Sequence, residues 1–169
     1  MAEQLRKAGY EVRIIEVTPR RGRMTVADTI SGHAVELDLL REALQDRPLI
    51  TELCPVVGLD DAIGLKVRAL HDRGLSRDFI DVAAVGHLYP YRELERLGAL
   101  HDEEFSVAEL LLRLDSIEYH PDEAYEAYGL DADDIRRVRL FALNWAEDIR
   151  LRRVEDGDAV GDFDLQGDD

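Results

Sequence analysis

Asp60-Asp61-Ala62-Ile63-Gly64-Leu65-Lys66-Val67-Arg68-Ala69-Leu70, followed by Arg77-Asp78-Phe79-Ile80-Asp81, decides how this chain is read. Together with Leu59, the residues Ile63, Val67 and Leu70 recur at helical spacing and mark one apolar stripe. Lys66 falls inside that stripe, whereas Arg68 points the other way. Of the 21 basic residues only Lys7 and Lys66 are lysines; the rest are arginine. A cation on a core-facing stripe must snorkel to water along its stem, pair with an acid, or serve an anion. The Arg77–Asp81 segment supplies acids for the second option.

Around this stretch, 169 residues give room for one domain or slightly more. An apolar share of 46% is enough for a core and excludes wholesale disorder. The sequence shows neither a signal-peptide pattern nor an apolar run of membrane-spanning length. The single cysteine, Cys54, precedes Pro55 and has no internal disulfide partner. These features lead us to expect a cytoplasmic protein with no membrane partner.

The net charge of −16 is unevenly spread. From Glu155 to Asp169 there are seven acids and no bases, a composition expected of a disordered, solvating tail. The body keeps arginine clusters at Arg20-Arg21-Gly22-Arg23 and along Arg136, Arg137, Arg139, Arg150, Arg152 and Arg153. Such clusters are either local basic patches or the ordinary solvated arginines of surface helices.

The pattern before and after the central stretch differs in kind. Glu3–Ala8 reads as a short helix. Strands are expected over Glu11–Val17, Arg23–Thr29 and His33–Leu40, joined by turns at Pro19–Gly22, with Gly22 free to take positive φ, and at Ser31-Gly32. Two tight connections in succession make an antiparallel meander. From Asp60 on, helices are expected with caps at Asp60 or Asp61, Ser76, Ser106 and Asp131 or Asp133. One of these, from Tyr91 to Leu97, should close at Gly98, and a short one should run from Pro121 to Gly129. The longest carries Ile135, Val138, Ala142, Trp145 and Ile149 on one stripe. The expectation is an α+β chain, a small antiparallel sheet followed by a helical bundle. Its segments are 1–58 (sheet and linker), 59–154 (helices) and 155–169 (tail).

Two sets of acids stand out. Glu36 and Asp38 share one face of the third strand, opposite Val35, Leu37 and Leu39. Such a pair either holds a hard cation such as Mg²⁺ or forms the wet half of an amphipathic strand. Asp78 and Asp81, three apart on a helix start, project together. Asp78 also suits the positive end of the helix dipole; Asp81, flanked by Ile80 and Val82, is a natural partner for Lys66. His33, His71, His87, His101 and His120 show no metal-site spacing. Glycine-rich phosphate loop, nucleophile elbow and paired-cysteine motifs are all missing from the sequence.

The run Gly58–Asp81, with its acidic helix start, Lys66, Ala69-Leu70, Arg73-Gly74 and Arg77-Asp78-Phe79-Ile80-Asp81, resembles the AbiEii/AbiGii-type nucleotidyltransferase toxins of toxin–antitoxin and phage-defence loci. The match is close over about 24 residues and looser elsewhere. The resemblance implies a polymerase-β-like nucleotidyltransferase fold, transfer of a nucleotide from an NTP with Mg²⁺, and tRNA, another RNA or a protein as acceptor. A cognate antitoxin is the implied protein partner. It also implies that Lys66 contacts nucleotide phosphates, that Asp78 and Asp81 share its cleft, and that Asp38, with Glu36 second, lies near the metal.

The family's Gly-Ser or Gly-Gly turn and the Asp-x-Asp pair after it have no counterpart. The Asp-x-Asp sequences here are Asp131-Ala132-Asp133, Asp156-Gly157-Asp158 and Asp162-Phe163-Asp164, none in the corresponding place. Either the chain starts inside a longer reading frame or it is a shortened, degenerate member, and activity of this form is expected to be weak or lost. The alternatives are a non-catalytic nucleotide- or partner-binding module and an unrelated helical interaction module.

Overall fold

The alternating segments form strands and the striped segments form helices, as their different hydrophobic periods dictate. The computed structural model describes residues 1–19, 21–155 and 157. Arg20 and nearly all of the acidic tail, including Asp162-Phe163-Asp164, lie outside the described residues. The chain divides into one compact unit, Met1–Ala43, and a second from Leu44 onward. It is an α+β protein.

In the first unit, helix α1 (Ala2–Lys7) precedes strands β1 (Tyr10–Val17), β2 (Arg21–Asp28) and β3 (Ala34–Leu40). They form an antiparallel sheet in the order β1-β2-β3. Val12, Val26 and Val35 stand in register across the sheet, as do Ile14, Met24 and Leu37. On this face Val12, Met24 and Val26 are buried, with Ala2, Leu5, Leu37 and Leu39 packed against them. At about 1.5–3 kcal/mol per fully buried side chain, three such residues make a thin core. Gly22 does not turn the chain at positive φ: it is a β2 residue paired with Leu39, and the hairpin closes through Thr18, whose hydroxyl accepts the Arg21 N–H at 2.9 Å. The second turn does use a left-handed glycine, Gly32 at φ 73°.

The second unit begins with a two-residue ladder, β4 (Leu49–Ile50) against β5 (Pro55–Val56). Helices α2 (Leu59–Arg73), α3 (Ser76–Val85), α4 (Tyr91–Ala99) and α5 (Val107–Asp115) follow. A 3₁₀ turn (Ser116–Tyr119), α6 (Glu123–Glu126) and α7 (Ala132–Glu155) complete it. The core draws Ile63, Val67 and Leu70 from α2, Phe79 and Val82 from α3, Leu94 and Leu97 from α4, and Leu110 and Leu114 from α5. The α7 stripe of Ile135, Val138, Ala142, Trp145 and Ile149 is buried against them. No helix among the described residues is long and apolar enough to cross a membrane.

The helix ends differ from the sequence expectation in instructive ways. The first turn of α2 has no side-chain cap, because its N-cap is Gly58 and Asp60 and Asp61 already lie inside the helix. Asp61 accepts the backbone N–H groups of Gln45 and Asp46 at 2.8 and 3.1 Å, which ties the 44–58 segment to the helices. Asp60 accepts the Tyr89 hydroxyl. Ser76 does not cap α3 but lies 3.0 Å from His120 Nδ1. Gly98 does not close α4; it is buried inside the helix, facing Val67. Ser106 and Asp131 cap α5 and α7 as expected, accepting from Glu109 N–H and from the Asp133 and Asp134 N–H groups.

A second stripe on α2 sets its approach to α4. Asp61, Gly64 and His71 recur at spacings of three and seven and are all buried. Gly64 is required there: a Cβ would stand 2.5 Å from the Leu97 carbonyl oxygen and 2.5 Å from the His101 ring.

Candidate functional site

The α2–α3 hairpin carries the residues that the sequence singles out. Gly74, at φ 56°, ends α2 in the left-handed conformation, which costs glycine little, and Leu75 starts α3. The helices then run back along each other, and two ion pairs bridge them. Lys66 Nζ lies 2.8 Å from Asp81 Oδ2. Nearer the turn, Arg73 grips Asp78 in a bidentate pair of 2.9 and 2.7 Å. Lys66 and Arg73 are seven residues apart on α2 and so share a face; Asp81 and Asp78 are one turn apart on α3.

The two carboxylates differ in their access to water. Asp78 is 2% exposed and its Oδ2 also accepts the Leu75 N–H at 3.1 Å. Its carboxylate therefore locks the hairpin turn and the start of α3. The hydrogen bond to Asp78 raises the Arg73 guanidinium above its ordinary pKa, against the opposing effect of burial. Lys66 and Asp81, by contrast, have side chains 38% and 34% exposed. Lys66 lies at the shoulder of the buried α2 face rather than within it, and Leu59 is exposed. Of the sequence options for Lys66, pairing holds, and both partners remain reachable from solvent. The structure thus brings Lys66 and Asp81 together, while Asp78 turns to Arg73.

Glu36 and Asp38 do share a face of β3, and arginine already occupies it. Arg23 Nε is 2.9 Å from Asp38 Oδ1 and 3.2 Å from Glu36 Oε1, and Arg21 reaches Asp38 at 3.5 Å. Hydrogen bonding from Arg23 holds the Asp38 carboxyl below its ordinary pKa, despite some desolvation. Two guanidinium groups on these oxygens oppose a divalent cation, so this face does not fit a Mg²⁺ site.

Several charged groups in the helical unit escape sequence reading. His101 Nε2 is 3.2 Å from Asp61 Oδ1, with both side chains essentially sealed from water. Burial pushes the Asp61 carboxyl up, but the two backbone donors and His101 together bring it below its ordinary pKa. Glu95, also buried, accepts Trp145 Nε1–H at 2.9 Å and pairs with Arg152. His71 gathers Asp72, Asp102 and Glu109. For Asp61 and His71 the sequence signal was the polar second stripe of α2, whereas Glu95 and His101 gave none; apart from Asp72, the partners come from loops and from helices distant in sequence. An open cleft of about 700 Å³ is lined by His87, Tyr89, Tyr91, Arg92, Phe141 and Asp148, among others, but not by Lys66 or Asp81.

No protein-family model matches this chain, and comparisons with curated proteins and with solved structures give no significant match.

Proposed function

We propose that this chain is a nucleotidyltransferase-type protein of the toxin–antitoxin or phage-defence kind, in which Lys66 takes the phosphates of an NTP. The observation that supports this reading is the solvent-reachable pair of Lys66 Nζ and Asp81 Oδ2 at 2.8 Å. An exposed ion pair in water is worth only about 0–1 kcal/mol. A polyphosphate, with more charge than one carboxylate, can therefore displace Asp81 at little cost. Asp81 holds the ammonium in place until then, so its orientation is set in advance. Arg73 is already matched by Asp78, so of these two cations Lys66 is the one that an anion would have to engage.

Lys66 equips the chain for nucleotide binding, whereas the carboxylates that turnover needs are not in the family's place. The sequence has no Asp-x-Asp pair in the family's place, and Glu36 and Asp38 are neutralised by Arg21 and Arg23. Mg²⁺ arriving with the nucleotide would neutralise phosphate charge. An RNA or protein acceptor and an antitoxin partner belong to the proposal through the resemblance alone.

The alternative is a non-catalytic module in which Lys66–Asp81 merely repeats the structural rung of Arg73–Asp78. Titrating the folded protein with each NTP, with and without Mg²⁺, separates the two. Saturable binding that Lys66→Met removes supports the proposal; a mutant that changes stability alone supports the alternative.

A further inference from the structure

At the corner where the end of α2 meets the start of α5, the structure gathers a different set of donor atoms. His71 is 6% exposed, and its ring stacks on Phe105 with centroids 4.7 Å apart, so its orientation is fixed. Nδ1 lies 3.1 Å from Asp72 Oδ1 and 3.5 Å from Asp102 Oδ2. On the other ring edge, Nε2 lies 3.3 Å from Glu109 Oε2 and accepts the Ser106 N–H at 3.2 Å. One imidazole nitrogen and two carboxylate oxygens thus lie within 4.8 Å of one another, and no other such group occurs among the described residues.

We propose that His71 Nδ1, Asp72 Oδ1 and Asp102 Oδ2 form a binding site for a divalent transition-metal ion of the Zn²⁺ class. Bonds of about 2.0–2.2 Å at tetrahedral angles put neighbouring ligand atoms roughly 3.3–3.6 Å apart. The observed separations of 3.1 and 3.5 Å need only small adjustment to admit an ion. A nitrogen donor selects Zn²⁺ and its neighbours over Mg²⁺, which prefers an all-oxygen shell. Glu109 stands where metal-bound histidines commonly meet a carboxylate, behind the second ring nitrogen. Asp72 and Asp102 are 51% and 21% exposed, leaving an entry path and room for water to complete the shell.

The Ser106 N–H takes Nε2, which leaves Nδ1 as the ring nitrogen that faces the two aspartates.

The test is calorimetric titration of the metal-stripped full chain with Zn²⁺ in excess Mg²⁺, alongside Asp102→Asn, His71→Gln and Glu109→Gln. Expected are one Zn²⁺ per chain, loss of that site in His71→Gln, and weakening by about tenfold or more in Asp102→Asn. Glu109→Gln should weaken it by less than Asp102→Asn does, as expected of a carboxylate that supports the ring rather than the ion. Asp102→Asn keeps the shape of the side chain, and circular dichroism establishes that it is folded. Absence of a one-to-one site in wild type, or equal Zn²⁺ affinity in folded Asp102→Asn, overturns the proposal and leaves His71 as a hydrogen-bonded link between α2 and α5.

Discussion

Lys66 Nζ and Asp81 Oδ2 stand 2.8 Å apart across the α2–α3 hairpin, two turns of α2 from Arg73 and its buried partner Asp78, which fasten the closed end. The two carboxylates are thus placed in opposite situations: Asp78 is sealed from water, while Asp81 is open to exchange.

This contrast predicts unequal stability effects. Asp78→Ala removes the lock on the Leu75 turn and leaves Arg73 without its carboxylate, while Arg73→Met leaves a buried carboxylate without its cation. Each should destabilise by about 2–4 kcal/mol. Lys66→Met and Asp81→Asn should each change stability by less than about 1 kcal/mol. Urea unfolding of the four variants measures this directly; equal losses at both rungs would refute the distinction.

Stability should fall in acid through Asp61. Its folded-state pKa is below the unfolded value of about 3.9, so its contribution is fully present above that value. The contribution is lost as pH falls through the folded-state pKa, when the carboxylate that receives Gln45 and Asp46 N–H is protonated. Asp61→Asn should lower stability at pH 7 and flatten the acid limb of the curve. Urea midpoints of both proteins between pH 7 and the acid transition give the comparison, and parallel curves would remove Asp61 from the account.

Gly64→Ala should reverse the usual sign. In an exposed helix interior this change stabilises by about 1 kcal/mol. Here the new methyl meets the Leu97 carbonyl and the His101 ring at 2.5 Å, so α2 and α4 must separate. A loss of about 1–3 kcal/mol is expected. A rise in melting temperature would show that the two helices are less tightly apposed.

What could be read in the sequence was whatever rests on local periodicity. The β1–β3 meander and the Trp145 stripe of α7 follow from periods of two and 3.6, and both form with bounds close to expectation. The Lys66–Asp81 pairing was legible because a glycine turn fixes which faces of α2 and α3 meet. Asp78 was harder: its pairing with Arg73 depends on the side-chain fork wrapping the turn, and dipole reasoning names only half of its role. Asp61 and His101 were out of reach, since their union depends on how loop 44–58 and the end of α4 fold back on α2. Arg23 sits opposite Asp38 in the β2–β3 register, and only that register reveals that the acidic pair is already matched.

The central claim rests on Lys66, and the most direct measurement is NTP affinity by titration calorimetry of wild type, Lys66→Met and Asp81→Asn, each verified as folded. The account predicts saturable binding by wild type, loss by at least about tenfold in Lys66→Met, and affinity kept or raised in Asp81→Asn, where the lysine has no competing carboxylate. Equal affinity in Lys66→Met, or no binding by the folded wild-type chain, would contradict it and leave the open rung as a structural ion pair.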